Sequence, residues 1–449
     1  MSGLNLLELI DKAKELGAQD VEFYYQSSID NSIEVYEGDV ESLESAHSKG
    51  LGIRVFLDNK MGFAYTADFN EKRLEEVIKE AIANAQIASE DEYRDLAEGD
   101  YEYDDLDIYD PNLEESSPED KIDLALQIEK VALDYDQRIE SVISVGYGDS
   151  ISKVRIVNSK GLDQSYKGGI AYAYLYVLAS DGEDKQTGSA LTYGRNLKAL
   201  TPVKTGEEGA KNALDLLGGK QVKSQKAPVV FTPKVGAMFM YVLAQALTAE
   251  SVQKGRSLFA GKLDKTVANE RVNIIDNGSL EEGLATAPFD GEGVPSKKTD
   301  LIKEGILTNY LYDIYTANKD GVESTANASR GSYRGIPSVS PSNFYLAPGD
   351  QEAEDIIKGV ENGFYLHKVS GLVTGGANPI SGDFSVGATG QWIKGGEIKG
   401  AVNEVTIAGN LIDFLKNIEE IGNDLKFNPS IGSYGSPTFK VRELAISGA

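Results

Sequence analysis

Two imidazoles, no thiol and a surplus of carboxylates define the chemistry open to this 449-residue chain. Its histidines, His47 and His367, lie in "ESAHSKG" and "GFYLHKV", strand-like contexts without a nucleophile elbow, so a Ser-His-Asp relay lacks a convincing base. Without cysteine, the chain has no disulfide, thiolate nucleophile, iron-sulfur ligand or Cys-type zinc site. Carboxylates remain, and Asp290, Glu292 and Asp383 could surround a hard cation, as in an autonomous metal-dependent hydrolase. The Gly-rich run from Gly371 to Gly390 suggests recognition instead. Around Gly375, Gly376, Ala377, Asn378, Gly382 and Asp383 the side chains are mostly small, so an extended peptide could approach the backbone and add to a sheet edge; a set of tight turns is the plainer reading. No GxxxxGK[ST] loop occurs, and the glycines of "GLGIRVF" lead into a strand rather than a helix.

Charge narrows the partners. With 71 acidic against 44 basic side chains the net charge is −27, which opposes direct contact with nucleic-acid phosphates. The start, "MSGLNLLELIDKAKELG", has no basic n-region, and no stretch approaches the roughly 18 apolar residues of a membrane span. A cytoplasmic protein is the expectation, with neither nucleic acid nor membrane as partner.

The elements that must position these residues read as α+β. An amphipathic helix over 4–17 buries Leu6, Leu9, Ile10, Ala13 and Leu16, hairpins follow, and a second helix runs from Glu71 to about Ala88. Residues 90–120 hold 15 acidic residues and one arginine, the composition of a solvated connector. Ser117 and Pro118 open a third helix that ends near Asp134. In "GIAYAYLYVLAS" both alternating faces are apolar, which predicts a strand covered on both sides, with Tyr172, Tyr174 and Tyr176 packed. Thr205 and Glu208 suggest a capping box for a helix ending at Gly218-Gly219. After "QVKSQKAP" the pattern is mostly hairpins, opened by one long helix and closed by another over Leu411 to about Ile421. The division is therefore a 1–225 N-terminal α+β domain of helix and hairpins with mostly antiparallel sheets, containing the acidic linker 90–117, and a β-rich 226–449 domain.

The segments "FDGEGVPSKKTDLIKEGILTNYLYD", "NFYLAPGD", "GGANPISGDFSVGATGQWIKGGEIKGAVNEVTIAGNL" and "IGNDLKF" resemble the TldD/PmbA family. Its members were first described as modulators of DNA gyrase and later as metalloprotease subunits. "NSKGLDQSYKGG" and the N-terminal helix and hairpins fit the same pattern, so the likeness spans nearly the whole chain. The resemblance implies two branches. In the TldD branch the opening helix carries HExxxH, two zinc-binding imidazoles with a general-base Glu, and a further Cys ligand lies near the C-terminus. Counting back from "KGRSLFAG", Met240, Tyr241 and Gln245 stand at the His, Glu and His places here. Since no histidine lies between His47 and His367, no shift of register restores the motif.

The resemblance therefore implies a member of the PmbA (TldE) branch: a pseudoprotease subunit of a TldD/TldE-type zinc metallopeptidase, giving structure and peptide-binding surface for proteolysis. Its expected partners are an HExxxH-bearing TldD-like paralogue, which would hold the zinc, and a peptide substrate. This chain would carry no cofactor of its own. When isolated it could form a homodimer, pairing through its C-terminal domain. A stand-alone peptide-binding scaffold is the alternative from outside enzymology.

Overall fold

The computed structural model describes residues 5–449. The N-terminal half is built from α1 (Leu6–Glu15), β1 (Asp20–Tyr36), β2 (Asp39–Leu57), β3 (Lys60–Thr66), α2 (Glu71–Ile87), α3 (Pro111–Glu115), α4 (Pro118–Tyr135), β4 (Ile139–Asn158), β5 (Asp163–Asp181), β6 (Asp184–Gly194) and α5 (Pro202–Leu214). Its strands form one antiparallel sheet in the order β3-β2-β1-β4-β5-β6. The helices cover one face. There α1 and α2 pack over Phe23, Leu51, Ile53 and Val55, while α4 and α5 pack over Val145, Tyr147, Ala173 and Leu175. The first helix keeps the expected apolar face, although residue 4 of the expected range lies outside the described residues.

The C-terminal half contains β7 (Gln225–Phe231), α6 (Pro233–Ala246), α7 (Ala249–Gln253), β8 (Ile274–Asn277), β9 (Lys298–Lys303), β10 (Ile306–Leu307), α8 (Ile314–Asp320), β11 (Ala328–Ser329), β12 (Ser338–Val339), β13 (Phe344–Leu346), α9 (Ala353–Lys358), β14 (Asn362–Ser370), β15 (Asp383–Lys394), β16 (Glu397–Asn410), α10 (Leu411–Lys416), β17 (Ile418–Ile421), β18 (Lys426–Phe427), β19 (Tyr434–Ser436) and β20 (Phe439–Ser447). A sheet ordered β16-β15-β14-β7-β20-β17 gains an extra β16–β20 pairing, so five of its strands close on themselves. A second sheet runs β10-β9-β8-β13-β19-β18. Most pairings are antiparallel as expected; β7–β14 and β13–β19 are parallel. The helix α6 contacts strands of both sheets and is buried at Val235, Ala237, Phe239, Met240, Val242, Leu243, Ala244 and Ala246, more than one stripe, as a helix between two layers must be. Phe239 stacks on Phe414 at 4.9 Å and Phe231 on Phe439 at 4.7 Å, so aromatic packing locks α6 into this core.

Four local expectations need correction. The acidic stretch is not a solvated connector: Leu96, Ala97, Ile108 and Leu113 are buried, and Tyr103 packs on Phe289 and donates to the Gly293 carbonyl at 2.8 Å. Apolar residues spaced between the acids make it a strap across both halves. The tyrosine row of β5 is not packed on both sides; Ala171, Ala173, Leu175 and Val177 take the core face while Tyr172 and Tyr176 are exposed on the other. Opposite them, Gly148 and Gly146 on β4 leave room for the rings of Tyr172 and Tyr174. The helix assigned to a Thr205 cap begins a turn earlier, with Thr201 at the N-cap and Pro202 in its first turn, because proline's fixed φ suits that place. The closing helix stops at Lys416, and Ile418–Ile421 becomes the edge strand β17 beside β20.

Candidate functional site

Proline at the first turn of α6 fixes its start, and the helix runs regularly to Ala246 with Leu247 at its C-cap. Met240 is fully buried inside the core. Tyr241 turns toward β19, where its ring meets that of Tyr434 edge-on at 5.1 Å. Burial, with the neighbouring Tyr241, raises the Tyr434 hydroxyl above its ordinary pKa, while a hydrogen bond with Gln245 opposes the rise. Gln245 itself is exposed at the end of the helix. Tyr241, Gln245 and Tyr434 thus meet, and Met240 lies apart from them in the apolar interior.

The helix end leads to the Gly-rich run. Ser251 Oγ and Thr248 Oγ1 donate to the Gln245 carbonyl at 2.8 and 3.2 Å, fastening α7 to α6. Beyond it, the Leu258 amide donates to the Pro379 carbonyl at 3.0 Å, and residues 372–376 pack against α6. Gly371, Gly375 and Gly382 adopt positive φ values of 84°, 114° and 82°, conformations that glycine reaches without strain. Asn378 Oδ1 accepts from the amides of Ile380 and Ser381 at 2.9 and 3.2 Å and closes the tip. Asp383 is exposed; hydrogen bonds from Asn410 and Ser381 hold its carboxyl below the usual range. This is a loop of tight turns between β14 and β15. Sheet-edge addition there does not hold, since β15 pairs with β14 on one side and β16 on the other. The exposed loop remains available to a peptide by other contacts.

The structure keeps Asp290 and Glu292 near each other and places Asp383 elsewhere. Asp290 accepts from the amides of Glu292, Val294 and Ala328 at 2.9 to 3.0 Å, which uses it as a loop organiser. Glu292 takes Arg54 Nη1 at 3.2 Å and the Ile314 amide at 2.9 Å. Asp383 is exposed elsewhere, and among the described residues no three Asp, Glu or His side chains gather as a metal would require. His47 is exposed on β2; His367 is edge-on to Tyr365 at 4.5 Å, with burial pushing its pKa down to about 4.

Sequence reading missed the network around Glu292. Glu22 on β1 receives Arg54 Nε and Nη2 at 2.9 and 2.6 Å and is also bonded by Arg330, all in the interior. A cavity of about 140 Å³ opens beside it, lined by Arg54, Arg94, Glu292, Asp313 and Tyr315 among others. The signal was one acid in "VEFYY" and one base in "GIRVF", each within an apolar strand. Burial lifts Glu292 to about 7, Arg54 opposing and Asp290 and Asp313 adding; burial likewise lifts Asp290 to about 6. A carboxyl whose folded pKa is raised contributes stability below its unfolded pKa, near 4.3, that is lost as pH rises through the folded value. Glu292→Gln does not ionise and keeps one carbonyl oxygen to accept from Arg54 or from the Ile314 amide, so, although less stable overall, its urea-unfolding stability should fall less than wild type between pH 5 and 8. Parallel curves for the two proteins would refute this.

The architecture and the α6 site can now be set beside known proteins. Family models described as PmbA/TldA metallopeptidase domain 1, central domain and C-terminal domain match residues 21–85, 111–217 and 224–448. This chain belongs to the PmbA/TldA metallopeptidase family. It is 31% identical over 416 residues to the metalloprotease PmbA of Escherichia coli O157:H7, covering 91% of this chain and 89% of the relative. It is 27% identical over 456 residues to a metalloprotease TldD homologue of Buchnera aphidicola, covering 95% and 92%. A putative modulator of a DNA gyrase from Thermotoga maritima superposes with a TM-score of 0.92 at 30% identity, covering 98% of this chain and 99% of that one. TldE from Thermococcus kodakarensis gives 0.91 at 25% identity, covering 99% and 100%. The resemblance read from the sequence is borne out, as is the α+β fold with its β-rich C-terminal half.

For this member of the PmbA/TldA family the zinc question turns on donors. A thioether sealed in the core, a phenol packed on Tyr434 and an amide do not fit a catalytic zinc, which takes about three N, O or S ligands in an open tetrahedron. No helix among the described residues is long and apolar enough to cross a membrane.

Proposed function

We propose that this chain is a non-catalytic, PmbA/TldE-like subunit of a TldD/TldE-type zinc metallopeptidase. Zinc belongs to an HExxxH-bearing partner subunit, and this chain supplies architecture and a peptide-contacting surface. The observation that carries this reading is the occupancy of the motif places: Met240 serves the core, while Tyr241 and Gln245 serve Tyr434. Its Gly-rich loop, with Gly375, Asn378 and Asp383 exposed, Gly376 and Ala377 half-buried and Gly382 buried, stands beside the end of α6, where a partner's substrate could be held. The isolated chain self-associates, and the working complex contains the paralogue.

Untagged chain should contain less than about 0.1 zinc per molecule by elemental analysis and cleave no peptide, whereas a mixture with the HExxxH paralogue should cleave. About one zinc per chain, with chelator-sensitive cleavage by the chain alone, would overturn the proposal. Ile380→Trp should leave folding intact, because Ile380 is 54% exposed in the same loop, and lower turnover by the complex; unchanged turnover would remove the loop from the peptide surface.

A further inference from the structure

The cavity beside Glu292 has walls from both halves of the chain. Arg54, Arg94 and Asp95 come from the N-terminal half, and Glu250, Glu292 and Asp313 from the C-terminal half, so four carboxyls face two guanidiniums. Five of these six have ion-pair partners: Arg54 with Glu292 at 3.2 Å, Asp95 with Lys160 at 2.9 Å, Glu250 with Lys254 at 2.6 Å and Arg94 with Asp91 at 3.6 Å. Asp313 has none among the described residues.

Asp313 is built into the fold with one oxygen to spare. Its Oδ1 accepts from the Thr316 amide at 2.8 Å and from Thr316 Oγ1 at 2.6 Å, which caps α8. Its Oδ2 has no hydrogen-bond donor among the described residues, although the residue is only 3% exposed. That oxygen is not sealed in, and the open space that Asp313 borders is the cavity. A carboxylate oxygen so far from bulk water is costly to leave without a donor. The charge of Asp313 also adds to the burial that raises Asp290 and Glu292, so a cation placed here would relieve three acids at once.

We propose that this cavity binds a primary alkylammonium, the group that ends a lysine side chain, its nitrogen donating to Asp313 Oδ2 and its methylenes lying against Ile336, Pro337 and Val339. The free acceptor selects the ligand. A single oxygen suits the point charge of an ammonium, whereas the fork of a guanidinium needs two. The Tyr315 ring does not compete for the cation, because Arg94 and Lys319 already lie over it at 4.6 and 4.1 Å. A carboxylate ligand would meet Asp313 and find both arginines paired. The volume, about 140 Å³, is close to the roughly 150 Å³ that admits a molecule of benzene's size, so a butyl chain with its nitrogen fits. The bound ligand would bridge the two halves of the chain, next to α7, which continues directly from α6.

The test is isothermal titration of the full chain at neutral pH with n-butylammonium chloride, which should bind with a dissociation constant of about 1 mM or tighter. n-Butanol, which lacks the charge, and n-butylguanidinium should each bind at least about tenfold more weakly. Asp313→Asn keeps a good helix cap but turns an amide nitrogen toward the cavity in place of Oδ2, so circular dichroism should not change while affinity falls about tenfold or more. Ser338→Trp, at an exposed lining position away from α8, should fill the cavity and abolish binding. Lysine blocked at both ends separates the two sources of this chemistry: binding like that of n-butylammonium assigns the cavity to lysine side chains of peptides, and binding of n-butylammonium alone assigns it to free amines. No binding of n-butylammonium up to about 10 mM would overturn the proposal. So would equal affinity for n-butanol, or undiminished binding by Asp313→Asn.

Discussion

Replacing Glu22 with alanine should lower the unfolding free energy by about 3–5 kcal/mol, the usual cost of removing one partner from a buried ion network. Its carboxylate is fully buried and faces two guanidiniums: Arg54 from β2 of the same sheet, and Arg330 from the C-terminal half. Burial alone would raise its pKa, but Arg330 and Arg54 outweigh that and hold Glu22 below the ordinary carboxylate range. Arg330 is already imperfectly served, since its Nη1 has no partner. Without Glu22, Arg330 would keep only the Gly291 carbonyl and the face of Tyr24 at 4.6 Å, and Arg54 would depend on Glu292. Glu292, raised to about 7, is a poorer counter-ion than a carboxylate held ionised. The loss is measured by urea unfolding at neutral pH. Removing the whole cluster, as Glu22→Leu with Arg54→Met and Arg330→Met, should cost less than Glu22→Ala alone because neither guanidinium is then stranded by its partner. A loss below about 1 kcal/mol for Glu22→Ala would mean that water or Glu292 replaces the carboxylate. Since Glu22 and Arg330 come from different halves, the variant should also loosen their junction, read as faster hydrogen exchange at β1 and around Arg330.

Met240→His should cost about 2–4 kcal/mol, because an imidazole at this fully buried place has apolar neighbours and must be desolvated without assured partners. Met240→Leu, close in volume and apolar, should cost less than about 1.5 kcal/mol. The functional counterpart is the triple variant Met240→His, Tyr241→Glu, Gln245→His. Residues 240 and 245 lie about 140° apart around a regular helix, and α6 is regular. One imidazole would enter the core while the other faced outward beside Tyr434, so tight zinc binding should not return. Isothermal titration with zinc and a peptide-cleavage assay of the purified triple variant check this. Tight stoichiometric zinc with cleavage in the absence of a partner would show that α6 can distort to gather both imidazoles, and the partner-dependent reading would fall.

The residues bearing on the zinc question are legible in the sequence alone. An α+β chain with two histidines and no cysteine cannot spell HExxxH near residue 240, whatever its fold, because donor type is a covalent property. Periodicity located α1, α2, α4 and α6 because a helix must bury one face at 3.6-residue spacing. The Gly-rich segment could be read equally as peptide surface or as turns; three positive φ values and strand pairing on both sides of β15 decided that it forms turns.

Which residues meet across the fold was not legible. Glu22, Arg54, Glu292 and Arg330 span more than 300 positions of sequence, and no local propensity links them. The acidic strap looked solvated because composition averages over a window, while its few apolar residues find pockets made by both halves. The tyrosines of β5 looked buried because alternation specifies two faces without saying which is covered, and only the placement of α4 and α5 settled that. A bare edge along β2 is of the same kind. Sequence showed the strand signal of "GLGIRVFLDN"; tertiary structure extends it back to Asp39 as a strand of 19 residues of which the short β3 covers only part, leaving backbone donors and acceptors without a neighbouring strand. Side-chain chemistry is carried by each residue wherever it lies, whereas burial, pairing and exposure are properties of the surroundings that the whole chain creates.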